Sequence, residues 1–220
     1  MRSCHRVTSL LVVLGALICA VQPGGALAGP NAGGTLVVHE VGLNSTCDPW
    51  VSSPVPACAE VDNNLDLDFC PTWKVYAAFP NNSQPRLRSV SWGISWNQAY
   101  LYVHATSVGN ASEVTTPDWP APGSGITLTY DPVRTAPMNE LTCFIFAFYS
   151  YVQPMPGEIW STIPHPSAPT VFTDDSTPPV EDEIAGYGTI GFGVPGFTPC
   201  PQEPTPSVET RWGRIKALYR

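Results

Sequence analysis

Val90-Ser-Trp-Gly-Ile-Ser-Trp96 decides the fold class. Its apolar residues fall at 90, 92, 94 and 96, with Ser91, Gly93 and Ser95 between them. A period of two lays one face of a β-strand against a core, whereas a helix would scatter the same residues around its circumference. Similar runs recur at Thr35 to Val41, Trp73 to Phe79, Ala99 to Ala105, Ile126 to Tyr130, Glu158 to Ile163 and Tyr187 to Phe192, each bounded by Gly, Pro, Asn or Asp. Leu141 to Val152 is apolar on both faces, as a central strand is. Short strands with turn residues between them predict an all-β chain: an antiparallel β-sandwich or barrel-like single domain over residues 29–198. The Pro-rich stretch Pro154 to Pro179 reads largely as an extended surface connection.

The 220 residues carry 18 acidic and 10 basic side chains, a formal −8, and charged residues make up only 13%. An acidic chain has no electrostatic footprint for a polyanion, which excludes a nucleic-acid binder. The charge is uneven. Residues 29–206 hold 17 acidic groups against Lys74, Arg86, Arg88 and Arg134, a formal −13, while residues 207–220 are +3. The Pro-rich linker 199–206 separates the two. Beyond it Trp212, Arg214, Ile215, Lys216 and Tyr219 have the spacing of a short basic amphipathic tail, suited to docking on export or surface machinery.

Residues 1–28 read as a signal peptide. Arg2 and Arg6 precede an apolar run from Val7 to Val21, and Ala26-Leu27-Ala28 is a small-x-small cleavage site, which places cleavage after Ala28. The expected location is secreted, extracellular or periplasmic, with no transmembrane segment in the mature chain. Cys19 follows Ile18, not the small residue that precedes a lipid-acceptor cysteine. The mature chain keeps Cys47, Cys58, Cys70, Cys143 and Cys200 in a compartment that permits disulfides. Cys143 lies in the apolar run Leu141 to Phe148, where a thiol behaves as a small hydrophobe. Cys47, Cys58, Cys70 and Cys200 are left to pair, with connectivity open.

Several blocks carry a resemblance: Tyr76-Ala-Ala-Phe-Pro80, Pro85-Arg-Leu-Arg-Ser-Val-Ser-Trp-Gly-Ile94, Asp118-Trp-Pro-Ala-Pro-Gly-Ser-Gly125, Phe172-Thr-Asp-Asp-Ser176, Ile184-Ala-Gly-Tyr-Gly-Thr-Ile-Gly-Phe-Gly193 and Pro199-Cys-Pro201. In order and spacing the chain resembles a family of secreted bacterial hypothetical proteins, and Trp212-Gly-Arg-Ile-Lys-Ala-Leu-Tyr-Arg220 resembles a short tail on such chains. The resemblance implies a fold and a secreted class and brings no catalytic residue.

Asp62, Asn64, Asp66 and Asp68 alternate along one segment, so their oxygens can face one point, as calcium requires. The segment departs from an EF-hand loop, with Leu67 in place of the turn glycine and Trp73 in place of the bidentate Glu. Asp174, Asp175, Glu181, Asp182 and Glu183 form a second acidic group around Pro178-Pro179, either a solvated loop or the acid and base of a glycosidase. His39, His104 and His165 are isolated, with no nucleophile-elbow or metalloprotease motif beside them. Trp50, Trp119 and Trp160 stand near Pro-rich turns, where an exposed ring could stack on a sugar or a protein. The sequence therefore points to a secreted, non-enzymatic β protein for adhesion, matrix or surface structure, or carbohydrate or protein binding. Its alternative is a glycosidase-like secreted hydrolase using the acids of the 154–183 connection.

Overall fold

The structure is a computed structural model that describes residues 28–43, 53–65, 71–97, 103–146 and 157–202. The expected signal segment, Cys47, Trp50, Asp66, Asp68, Cys70 and the tail residues Trp212, Arg214, Ile215, Lys216 and Tyr219 lie outside the described residues.

The stretch that decides the fold class lies in β4 (Leu87–Ser95), where Val90, Trp92 and Ile94 are completely buried. On one edge β4 pairs antiparallel with β7 (Gly125–Arg134). Its other edge is shared between β9 (Ile159–Ile163), opposite Gly93 to Ser95, and β10 (Val171–Thr173), opposite Ser89 and Val90. β9 and β10 are thus two pieces of one strand interrupted by an arch at 164–170. The next strand is broken in the same way, with β12 (Thr189–Phe192) beside β9 and β11 (Glu181–Glu183) beside β10. β6 (Ala111–Thr115) flanks β7, and β2 (Asn64–Leu65) flanks β12, completing the large sheet.

The small sheet has the order β1-β3-β8-β5, all antiparallel, from β1 (Thr35–Leu43), β3 (Pro71–Ala78), β8 (Met138–Phe146) and β5 (Val103–Ser107). β8 takes an internal position, as its two apolar faces suggest. Between β11 and β12 the chain leaves the large sheet to cover the edge of β1: Leu36 N–H donates to Gly186 O at 2.9 Å, and Gly188 N–H to Leu36 O at 2.7 Å. A Cβ at position 188 would stand 2.8 Å from Leu36 O and 3.0 Å from Val37 Cα, so this stitch between the sheets needs glycine.

The two inner faces meet in an aromatic cluster. Trp73 and Phe144 come from the small sheet, and Trp92, Trp160 and Phe192 from the large one; all five are completely buried. Trp160 lies 4.7 Å from Phe144 and 5.6 Å from Trp73 between ring centroids, so the cluster crosses the sandwich. Outside the small sheet Val37, Tyr76 and Ala78 form a second cluster beneath Cys58, Val61 and Met138. A Cys58–Cys200 disulfide holds the covering segment. Cys143 is buried in β8 with no disulfide, as expected, but it stands beside Lys74 and Thr106 and not in the apolar core.

The fold is the expected β-sandwich, with two differences. β2 runs parallel to β12, and Leu36 makes a parallel bridge with Tyr187, so the sheets are not purely antiparallel. A segment returning through a long connection can add to an edge in either direction. Pro154 to Pro179 is also more than a surface connection, because it contains β10, whose Phe172 is completely buried. A strand of three residues is too short to show alternation.

Candidate functional site

The residues of β4 that alternate with the core positions lie on the outer side of the large sheet, where Ser89 and Ser95 are half-buried and Ser91 and Gly93 are buried. The strand registers place Thr127 and Thr129 of β7, Ser161 of β9 and Thr173 of β10 directly beside them. Ser112 and Val114 of β6 extend the field on one side, and Thr189 of β12 on the other. Ser91 Oγ and Thr127 Oγ1 are 2.8 Å apart and hydrogen-bonded. None of these positions is charged, although residues 29–206 are strongly acidic. Charge begins at the border, where Glu181 and Glu183 of β11 stand opposite Thr173 and Val171. Val114, at the β6 edge, is 71% exposed.

The 164–170 arch crosses this field over a pair of facing glycines. A Cβ on Gly125 would lie 2.6 Å from His165 Cδ2 and Nε2, and one on Gly93 would lie 2.9 Å from Pro164 O. Small residues at 93 and 125 therefore make the bed of the arch. His165 N–H donates to Thr170 Oγ1 at 2.7 Å, and His165 Nδ1 accepts the Ser167 N–H at 3.2 Å. Burial pushes the His165 pKa down, and because Nδ1 accepts the Ser167 N–H the neutral ring carries its proton on Nε2. Each surrounding hydroxyl offers one donor and two acceptor lone pairs. The face presents neutral hydroxyls together with the aliphatic side chains of Ile159 and Ile163, and the 164–170 arch lies across it.

The acids of the long connection are engaged in holding the fold. Asp174 is buried, and its Oδ1 accepts the Ser176 N–H (3.1 Å), the Ser176 hydroxyl (2.7 Å) and the Val180 N–H (2.7 Å). Burial pushes its pKa up, but these hydrogen bonds outweigh it and hold the carboxyl below the ordinary value. Asp175 receives a two-pronged contact from Arg86, Nε at 2.7 Å and Nη2 at 2.5 Å, and that hydrogen-bonded partner lowers its pKa. Asp182 is buried and accepts the Gly29 and Asn31 N–H groups at 2.7 and 3.0 Å. Glu181 and Glu183 are exposed, as the sequence reading expects, but they stand on strand β11 and not in a loop. The other three shape a turn, a strap and a clamp.

Of the three tryptophans expected at a binding surface, Trp160 is completely buried and offers no ring to a ligand. Trp119 is half-buried and meets Trp92 and Phe144 at 5.9 and 6.1 Å, capping the core; Trp50 lies outside the described residues. In the calcium candidate, Asp62 and Asn64 are exposed, and Asp62 Oδ1 accepts the Asn64 N–H at 3.1 Å. Asp66 and Asp68 lie outside the described residues, and among those described no cluster of three His, Cys, Asp or Glu could hold a metal. His39 Nδ1 accepts the Asp62 N–H at 2.9 Å, and burial lowers its pKa. His104 is exposed on β5.

A second polar group lies on the outer side of the small sheet, where Lys74 Nζ and Glu140 Oε1 form a largely buried ion pair at 2.6 Å. Beside them Tyr76 is completely buried, and burial together with Glu140 pushes its pKa far up. A groove of about 310 Å³, lined by Val55, Cys58, Phe79, Pro137 and Met138 among others, opens at this end of the sheet. The hydroxyl face was missed in the sequence, although Ser91, Gly93 and Ser95 stand inside the stretch that decides the fold class. The signal was present as the identity of the alternate residues, which were read only as spacers.

Among the described residues no helix is long and apolar enough to cross a membrane. No family model matches the chain, and no curated protein matches it in sequence. Two solved structures are distantly similar. One is a cohesin module from a family 33 glycoside hydrolase of Clostridium perfringens ATCC13124, with a TM-score of 0.41 and 9% identity over 60% of this chain and 92% of that one. The other is the seventh ScaB type I cohesin of Pseudobacteroides cellulosolvens, with a TM-score of 0.41 and 8% identity over 59% of this chain and 86% of that one.

Proposed function

We propose that the protein is a secreted, non-enzymatic β-sandwich module that binds another protein through the outer face of its large sheet. The observation that carries this reading is the charge-free field of Ser89, Ser95, Thr127, Thr129, Ser161 and Thr189 in an otherwise acidic domain. The centre of a protein interface is depleted of charge and surrounded by a polar rim, and Glu181 and Glu183 supply such a rim here. Short hydroxyl side chains lose little rotamer freedom on contact, so a partner surface shaped to the 164–170 arch can bind them at small entropic cost. The Cys58–Cys200 bridge fits an oxidising location. The basic tail beyond the linker then serves attachment to export or surface machinery, with charge opposite to the domain's.

The test is binding of the 29–220 protein to arrays of envelope proteins from the secreting cell and to glycan arrays, in wild type and in Thr127→Arg/Thr129→Arg. Protein binding by the wild type that the double variant loses, at unchanged melting temperature, supports the reading. Binding only to glycans, or equal protein binding by both chains, contradicts it.

A further inference from the structure

The clamp made by Asp182 has no use in the binding reading and points to a maturation site. Gly29 N–H donates to Asp182 Oδ1 at 2.7 Å, and Asn31 N–H donates to Oδ2 at 3.0 Å. Asn31 is itself fixed to the sandwich, its side chain donating to Arg86 O at 3.1 Å and accepting the Arg86 N–H at 2.9 Å. Ala28, one residue earlier, is exposed. A Cβ on Gly29 would collide with the Asp182 carboxylate and approach Val180 Cγ1 to 2.6 Å, so position 29 must be glycine for its nitrogen to reach the carboxylate.

Asp182 is only 7% exposed and makes no ion pair among the described residues. Two N–H donors hold this carboxylate, which carries no counter-charge among the described residues. We propose that hydrolysis of the Ala28–Gly29 bond supplies it: the mature protein starts at Gly29, and its α-ammonium is bound by Asp182. Water adds to the Ala28 carbonyl in a leader-removing peptidase, the C–N bond breaks, and the leader departs with a carboxylate. The Gly29 nitrogen takes up protons to become an ammonium. The 2.7 Å N–H···O contact, already assisted by the carboxylate charge, becomes an ion pair between two full charges. The small-x-small pattern Ala26-Leu27-Ala28 gives the same bond from the sequence side. The proposal rests on the secreted reading but not on the binding face.

Two measurements test it. Intact mass and N-terminal sequencing of the exported wild-type protein should find Gly29 first. A start at any other residue overturns the site while leaving export intact, and a retained Met1 overturns both the site and the secreted reading. Separately, a protein beginning at Gly29 should melt about 2–4 °C above one with two extra residues before Gly29. That gap should vanish in Asp182→Asn. A gap that persists in Asp182→Asn, or no gap in the wild type, overturns the ammonium–carboxylate pair.

Discussion

At the scale of the residue, Trp160 shows most clearly what burial does to a sequence-based expectation. A Trp beside Pro-rich turns looks like an exposed platform, but the parity of β9 turns it inward with Thr162 while Ser161 faces out. Trp160→Ala should cost about 3–5 kcal/mol in urea unfolding, the usual price of a large aromatic removed from a packed core. Trp160→Phe should cost far less, because the Trp160 indole N–H has no hydrogen-bond partner among the described residues and none is lost. The histidines set a pH dependence. Burial lowers the pKa of His39 and His165 below the ordinary 6.5, so the unfolded chain takes up protons that the folded one refuses. Their contribution is intact above pH 6.5 and falls as the pH drops toward the folded values. Asp174, with its depressed pKa, adds a further loss below the ordinary carboxylate range as the pH falls through its folded value. Equilibrium urea unfolding between pH 4 and pH 8 should show stability rising with pH, and the His39→Gln/His165→Gln variant should flatten the upper part of the curve.

At the scale of the element, two attachments outside the core can be separated by mutation. The Lys74–Glu140 pair lies nearly out of solvent across β3 and β8. Removing one partner leaves a buried charge, so Lys74→Met alone should destabilise by about 3–5 kcal/mol, whereas Lys74→Met/Glu140→Leu should recover most of it. Urea unfolding of the three chains closes that cycle. The Cys58–Cys200 bridge joins residues 142 apart, and closing so long a loop removes much disorder from the unfolded chain. Cys58→Ala/Cys200→Ala should lose roughly 4–5 kcal/mol on the chain-entropy account, and should raise hydrogen exchange first in residues 53–61. Strands of eight to ten residues, such as β3, β4 and β7, show their parity in the sequence. β2, β10 and β11, of two or three residues, do not, because they exist only through neighbours far away in the chain.

At the scale of the whole molecule, the sandwich was legible because the alternation in 90–96 had a single physical solution, one face in and one face out. What that alternation leaves outside is the candidate site. Ser91, Gly93 and Ser95 become meaningful only when β7 and β9 bring Thr127, Thr129 and Ser161 beside them, and such registers are long-range facts. The Asp182 clamp joins residues more than 150 positions apart, and no local pattern marks it. The acidic total likewise conceals where charge is absent, which the sheet makes visible by placing its hydroxyls together. The most direct test of that neutral face is the affinity of purified residues 29–220 for protein extracted from the envelope of the cell that makes the chain, measured for wild type, Thr127→Arg/Thr129→Arg and the exposed control Glu60→Arg on the opposite sheet's covering segment. We expect saturable binding by the wild type and the control, abolished in the double variant and by prior protease treatment of the extract. Equal binding by all three chains would contradict the assignment of the large sheet's outer face as the binding surface.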